Sequence, residues 1–247
     1  MKIKIGASLA ALALTLAGCG DSGGGDVNAT SGNGGAPLTQ IAAPNNGDWT
    51  ETVSETPEGG IRMGNPDAPV KLVEYASMTC PACKAFSDQA STTLRDTYIR
   101  SGQVSWEFRH FLLNPYDAAI SVLVRCQPLP AYFRTVEQLF AQQRELLGAV
   151  DEQEAQQLNA LPPEQMIAPL ARAMDLDTFF ARRGMPESRF SACIADPQNM
   201  QRLSDGTNRA VTQEQVQGTP TFFINGQRQD VSDWRSLEPR LRAAIGG

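Results

Sequence analysis

The sequence predicts an α/β domain that is interrupted by an all-helical insertion. Two short β-rich segments flank a helical segment between residues 70 and 109, which together form a strand–helix–strand unit. The stretch that follows has helical spacing divided by prolines, and extended signals return only near residue 219. We therefore assign residues 48–113 and 207–247 to the α/β domain and residues 114–206 to the insertion.

Local signals place the elements of the first half. A weakly extended stretch near Trp49 leads into two turns rich in proline and glycine. Residues 70–75 are β-rich and follow a proline, which predicts the first clear strand. A helix then begins at residue 80 and continues to about residue 100, where Ser101-Gly102 ends it. Residues 103–109 alternate apolar with polar side chains and predict the next strand.

The second half is helical until close to its end. Four segments have the apolar spacing of helices, at 117–126, 132–147, 164–174 and 187–195. Residues 219–224 are extended again, and Asn225-Gly226 is a strong two-residue hairpin signal after which residues 227–230 can pair back. Ser232 or Asp233 can cap a final helix that reaches residue 245.

Composition excludes several classes of protein. The chain has 247 residues, of which 41% are hydrophobic and 19% charged, as in soluble globular proteins rather than disordered chains or proteins with many membrane spans. Its 21 basic and 27 acidic residues give a net charge of -6, and no run of lysine or arginine is present. A row of phosphates would therefore find no matching charge, and no nucleic-acid partner is predicted.

The first eighteen residues read as an export signal. Lys2 and Lys4 precede a short apolar run, which ends in Leu16-Ala17-Gly18-Cys19. This ending resembles the bacterial lipobox, which implies a lipoprotein signal peptide at 1–18 and a lipid on Cys19; a plain signal peptide is the alternative. Residues 19–47 are rich in glycine and predict a flexible tether. We expect a periplasmic protein, lipid-anchored to the inner or outer membrane of a Gram-negative bacterium.

Five cysteines are an odd number for an exported protein. Acylation of Cys19 would leave four, of which Cys80 and Cys83 form a C-x-x-C motif. Cys126 and Cys193 lie far apart in the helical insertion, and in an oxidising compartment we predict a structural disulfide between them. The alternative is a pair of buried free thiols.

The C-x-x-C motif follows a strand and opens a helix, a setting typical of redox chemistry. A thiolate at a helix N-terminus lies beside unpaired N–H groups and the positive end of the helix dipole, so its pKa falls. Pro81 suits the first helical position, where no N–H is needed. Cys83, one turn after Cys80, can close the disulfide.

Together with the stretch from Gly218 to Gly226, which contains Thr219-Pro220, and the inserted helices, the Cys80-Pro81-Ala82-Cys83 motif resembles the DsbA-like branch of the thioredoxin superfamily. The resemblance covers about residues 49–247 and implies a thioredoxin fold. It implies that Pro220 is a cis-proline facing the disulfide, and that Thr219, Pro81 and Ala82 contact substrate.

The resemblance also implies an activity. A DsbA-like monomer passes disulfides to exported proteins and is reoxidised by a quinone-linked membrane partner. Glu74 stands where this family has a buried acid that could take the proton of Cys83; the alternative is a solvent-facing strand residue. Ala82 replaces the histidine that strong oxidants often carry, which predicts a smaller driving force for oxidation.

Other functions remain open at this point. Thr219 also occurs in isomerase-like relatives, so a disulfide reductase or isomerase is the enzymatic alternative, although those isomerases carry an N-terminal dimerisation domain. A copper(I)-binding module that uses Cys80, Cys83 and Met78 is the non-enzymatic one. Zinc lacks ligands, since His110 is the only histidine and reads as structural. We predict no metal and no cofactor.

Overall fold

The computed structural model describes residues 37–246. Within this range the strands are β1 (Val53–Glu55), β2 (Ile61–Gly64), β3 (Val70–Ala76), β4 (Val104–His110), β5 (Thr221–Ile224) and β6 (Gln227–Gln229). The α-helices are α1 (Pro81–Thr93), α2 (Pro115–Arg125), α3 (Tyr132–Ala141), α4 (Gln143–Gly148), α5 (Glu152–Asn159), α6 (Pro163–Ala173), α7 (Leu176–Ala181), α8 (Glu187–Ala195), α9 (Pro197–Gln213) and α10 (Trp234–Gly246). The predicted α/β class with inserted helices is confirmed.

All six of these strands form one mixed sheet in the order β1-β2-β4-β3-β5-β6. The central strand β3 is parallel to β4 along its whole length and antiparallel to the shorter β5, which pairs with residues 72–75. Val70 and Leu72 on one face of β3 are buried in the core, whereas Lys71 between them is exposed. The end of β3 therefore presents the following loop, residues 77–80, at a fixed position.

Helix α1 begins where the sequence predicts. Cys80 is its N-cap and Pro81 its first residue, and the buried face carries Cys83, Phe86 and Ala90. The Phe86 ring lies 4.5 Å from that of Phe222 on β5, which ties the helix to the sheet. The predicted continuation to residue 100 is present as a π-helical segment, Leu94–Ile99.

The helical insertion packs around α2. Asn114 caps this helix by accepting a hydrogen bond from the Asp117 N–H at 2.9 Å, and the segment from Ala118 to Val124 is buried throughout. The predicted helix at 132–147 is divided at Gln142, whose backbone (φ -98°, ψ 9°) leaves the helical region. The predicted boundary between residues 206 and 207 falls inside α9.

The first hairpin, β1–β2, was not specified by the sequence analysis. Its strands are three and four residues long, too short for a periodic signal. Thr56 closes the turn instead: its N–H donates to the Gly60 carbonyl at 3.0 Å and its hydroxyl accepts from the Gly60 N–H. Hydrogen bonds from the Thr56 side chain and backbone thus stabilise a hairpin whose strands are too short to do so alone.

Part of the predicted tether contacts the domain. The Ile41 N–H donates to the Ser101 carbonyl at 2.8 Å, and Trp49 Nε1 donates to the Ile41 carbonyl at 2.8 Å. Gly102 approaches this segment so closely that a Cβ on it would lie 2.6 Å from Trp49 Nε1. Residues 38–47 are therefore not a free tether. Leu38 packs against the hydrophobic core, and the Ile41 backbone hydrogen-bonds to the domain.

The C-terminal hairpin and helix agree with the sequence. Asn225 (φ 49°) and Gly226 (φ 78°) form the predicted two-residue turn between β5 and β6. Asp233 caps α10 by accepting a hydrogen bond from the Ser236 N–H at 3.0 Å. Within residues 37–246, no helix has the length and apolar character needed to cross a membrane.

Cys126, which follows α2, and Cys193, in α8, form a disulfide. The bond closes a loop with a sequence separation of 67, for which chain entropy gives about 4 kcal/mol as an upper figure. We expect the Cys126→Ala, Cys193→Ala double variant to melt at a lower temperature but keep its specific activity while folded. Thermal denaturation and an insulin-reduction assay measure the two effects. Lost activity without lost stability would instead make this pair a redox relay.

Candidate active site

The two cysteines of the C-x-x-C motif lie at the N-terminus of α1 in different surroundings. Cys80 is 8% exposed, whereas Cys83 is completely buried, and both are free thiols. Cys80 Sγ accepts a hydrogen bond from the Cys83 N–H at 3.4 Å. Pro81 and Ala82 are exposed beside Cys80. Only Cys80 is therefore accessible to another sulfur.

The surroundings separate the acidities of the two thiols. A hydrogen bond from the Cys83 thiol lowers the pKa of Cys80 to about 5. The N–H groups of Cys83 and Ala82 also lower this pKa, whereas burial opposes the change. Burial raises the pKa of Cys83 far above its ordinary value, and its hydrogen bond to Cys80 adds to the rise. At neutral pH Cys80 is a thiolate and Cys83 is protonated.

Residues from the far end of the sequence face Cys80. The Thr219–Pro220 peptide bond is cis, and Pro220 is buried just before β5. The Thr219 carbonyl lies 3.3 Å from Cys80 Sγ and accepts a hydrogen bond from it only when the Cys80 thiol is protonated. The structure thus brings Cys80, Thr219 and Pro220 together, as the resemblance implied.

Glu74 lies on β3 beneath the motif. It is 1% exposed, so the solvent-facing alternative is wrong, and Trp106 Nε1 donates to its Oε2 at 3.1 Å. Burial raises the pKa of Glu74 to about 8, opposed by the Trp106 hydrogen bond and helped by the charge of Cys80. The Glu74 charge in turn raises the pKa of Cys83. No hydrogen bond joins Glu74 to Cys83 in the described residues, so the coupling between them is electrostatic.

Three side chains of the helical insertion hold the loop before Cys80, and sequence reasoning missed all three. The Met78 N–H donates to Asp117 Oδ1 at 2.8 Å. Gln143 Nε2 donates to the Met78 carbonyl at 2.9 Å and to the Cys80 carbonyl at 3.1 Å. Asn114 Nδ2 donates to Thr79 Oγ1 at 3.0 Å. Asp117 was detectable as the one acid in an apolar helix, but nothing local marks Gln143.

With this geometry established, comparison with known proteins identifies the family. A family model described as thioredoxin matches residues 56–242. The chain belongs to this thioredoxin family. A solved protein-disulfide isomerase from Novosphingobium aromaticivorans is 27% identical, with a TM-score of 0.72 over 75% of this chain and 97% of the other. Wolbachia pipientis alpha-DsbA1, at 20% identity, has a TM-score of 0.60 over 75% of this chain and 90% of the other.

A curated relative from Rickettsia bellii, described by name as a protein-disulfide oxidoreductase, is 24% identical over 198 residues. The match covers 76% of this chain but only 65% of the relative, so the thioredoxin-family chain spans less than two thirds of that protein. These likenesses confirm the predicted thioredoxin fold, which the chain shares with Wolbachia pipientis alpha-DsbA1.

The two remaining candidate residues, His110 and Met78, are buried in the fold. His110 is buried, and its Nε2 is 2.9 Å from the Tyr132 hydroxyl. Burial lowers the pKa of His110 to about 3, so the ring is neutral at physiological pH. Met78 is buried in the core. Among residues 37–246, no group of three or more His, Cys, Asp or Glu side chains is arranged to hold a metal ion. Cys19 lies outside the described residues.

Proposed function

We propose that this thioredoxin-family protein is a thiol:disulfide oxidoreductase that donates disulfides to exported proteins. The observation that carries the proposal is the contrast between an accessible Cys80 with a lowered pKa and a buried Cys83 with a raised one. This arrangement stabilises the reduced form of the site, because the dithiol holds its negative charge on a sulfur that accepts hydrogen bonds from the thiol and N–H of Cys83. A couple whose reduced form is stabilised accepts electrons readily.

The proposed reaction starts from the Cys80–Cys83 disulfide. A substrate thiolate attacks Cys80 Sγ, the more exposed of the two sulfurs, and the Cys80–Cys83 bond breaks with both electrons leaving on Cys83. Cys83 takes a proton, for which the neutral Glu74 carboxyl is the buried source. A second substrate thiol then loses its proton to solvent, attacks the substrate sulfur of the mixed disulfide and expels Cys80 as a thiolate. The substrate gains a disulfide, and the site gains two electrons.

Thr219 supports the substrate in this scheme. Its carbonyl faces Cys80 Sγ, and Pro81 and Ala82, which follow Cys80 in the chain, are exposed. An extended substrate chain can lie between these residues and pair with the Thr219 backbone. We propose that this pairing takes place with a substrate whose cysteine lies in an unfolded segment.

In this scheme the protein acts outside the cytosol. Residues 1–18 serve as the lipoprotein signal peptide, and Cys19 carries the anchor to the inner or outer membrane of a Gram-negative cell. A quinone-linked membrane protein would return the site to the disulfide. The support is the Leu16-Ala17-Gly18-Cys19 sequence and the need of a disulfide donor for an oxidising compartment.

The reduction potential of the Cys80/Cys83 couple tests the direction of electron flow. We expect a value near or above about -180 mV by titration with glutathione, and about -270 mV would make the protein a reductant. Ala82→His is the matched variant and should raise the potential, since it adds a positive charge near Cys80. Copper is measured on the same sample, and one bound ion per chain would favour the metal-binding alternative.

A further inference from the structure

Gln143 connects the helical insertion to the backbone of the redox motif. It begins α4, is 3% exposed, and lies more than sixty positions after Cys80 in the sequence. Its Nε2 amide has two hydrogens and donates to two carbonyls, those of Met78 and Cys80. The amide therefore bridges two carbonyls of the loop that ends at the reactive Cys80.

The position of the Cys80 carbonyl affects the sulfur. Cys80 is the N-cap of α1, and its carbonyl already accepts the first helical hydrogen bond, from the Lys84 N–H at 3.1 Å. Fixing this carbonyl fixes the rotation of the Cys80 backbone. That rotation determines whether Sγ lies against the N–H groups of Ala82 and Cys83 that favour the thiolate.

The loop is held at its other end by the same insertion. Asp117 accepts the Met78 N–H, so both polar backbone groups of Met78 bind side chains from the helical block. Asp117 is itself supported by the Leu113 N–H at 3.1 Å and the Ser121 hydroxyl at 3.3 Å. A buried network of this kind keeps a loop in one conformation.

We infer that Gln143 is a positioning residue that holds Cys80 in the orientation in which its sulfur is a stabilised thiolate. The helical insertion thereby adjusts the redox properties of a motif that belongs to the other part of the fold. This inference rests on the proposed role of Cys80 as the attacking sulfur, but it holds for electron flow in either direction.

The test replaces Gln143 by methionine, which keeps the length of the side chain and removes both donors. Gln127→Met is the matched control, because Gln127 is also a buried glutamine and its Nε2 has no hydrogen-bond partner in the described residues. The Cys80 thiolate is titrated by its absorbance at 240 nm on the full chain, and equilibrium with glutathione and thermal melting are measured on the same samples. We expect Gln143→Met to raise the Cys80 pKa by about one unit, equivalent to a tenfold change in thiolate formation, and Gln127→Met to leave it unchanged.

The outcomes separate the inference from the proposed function. An ordinary Cys80 pKa in the unaltered protein would refute the role of Cys80 itself. A low Cys80 pKa that Gln143→Met leaves unchanged, with only a lower melting temperature, would make Gln143 structural and overturn the inference. If Gln143→Met does not fold, Gln143→Asn shortens the amide by one methylene and must give a shift in the same direction; an unchanged Cys80 pKa in that variant overturns the inference too.

Discussion

We expect Cys80→Ser to abolish turnover, and Cys83→Ser to retain attack but accumulate mixed disulfides with substrates. The reason is the difference in exposure and acidity of the two sulfurs. Cys80 is accessible and ionised at neutral pH, while Cys83 is buried and protonated, so Cys83 alone has no route to a substrate. Without Cys83, an intermediate formed on Cys80 is not resolved. Non-reducing gels of cells that express each variant measure the trapped species.

The control for trapping is the double variant Cys80→Ser, Cys83→Ser, which should show none. Fractionation of the Cys83→Ser cells locates the complexes, and adding Cys19→Ser should move them from the membrane to the soluble fraction. Equal trapping by the two single variants would contradict the assigned roles.

We expect Glu74→Gln to slow the step in which Cys83 leaves or attacks by about a hundredfold, because general acid–base catalysis contributes on that scale. Cys83 cannot ionise unaided at neutral pH, and Glu74 is the buried carboxyl that raises the pKa of Cys83 when it is itself ionised. Since the pKa of Glu74 is raised to about 8, its acid form predominates below that pH. Proton donation to the leaving Cys83 should therefore decline above about pH 8 in the unaltered protein and lose this dependence in Glu74→Gln. Stopped-flow kinetics across pH measures both.

The same substitution has an effect on stability with a defined sign. Folded Glu74 binds its proton more tightly than the unfolded chain, whose carboxyl has a pKa of 4.5, so the free energy of unfolding falls as pH rises from 4.5 to about 8. Glu74→Gln should flatten this slope. Glu107→Gln is the matched control: Glu107 is a buried glutamate on the neighbouring strand, bonded to Thr56 and Arg109. A slowed Cys83 step in Glu107→Gln as well would show that Glu74 acts only through the fold.

The sequence predicts those parts of the fold and site that depend on neighbouring residues. The start of α1 at Cys80-Pro81 and the turn at Asn225-Gly226 follow from local backbone preferences. The approach of Thr219 to Cys80 came from the resemblance to a family rather than from any local signal.

Contacts between segments that are distant in the sequence could not be predicted from local backbone preferences. The burial of Glu74 depends on Trp106, which β4 brings alongside β3. Gln143 reaches Cys80 only because α3 ends at residue 141 and the chain turns before α4. Glutamine at the start of a helix has no pattern that distinguishes it from a surface residue, so tertiary structure alone identifies it.

The double attachment of Met78 has a consequence for exchanging parts between relatives. Its N–H and carbonyl are both bound by the helical block, so the α/β framework does not complete the active-site loop by itself. A chimera that combines this C-x-x-C motif with the helices of another protein would acquire the loop geometry of the donor helices. The reduction potential can therefore be tuned by substitutions in the inserted helices that leave the C-x-x-C motif intact.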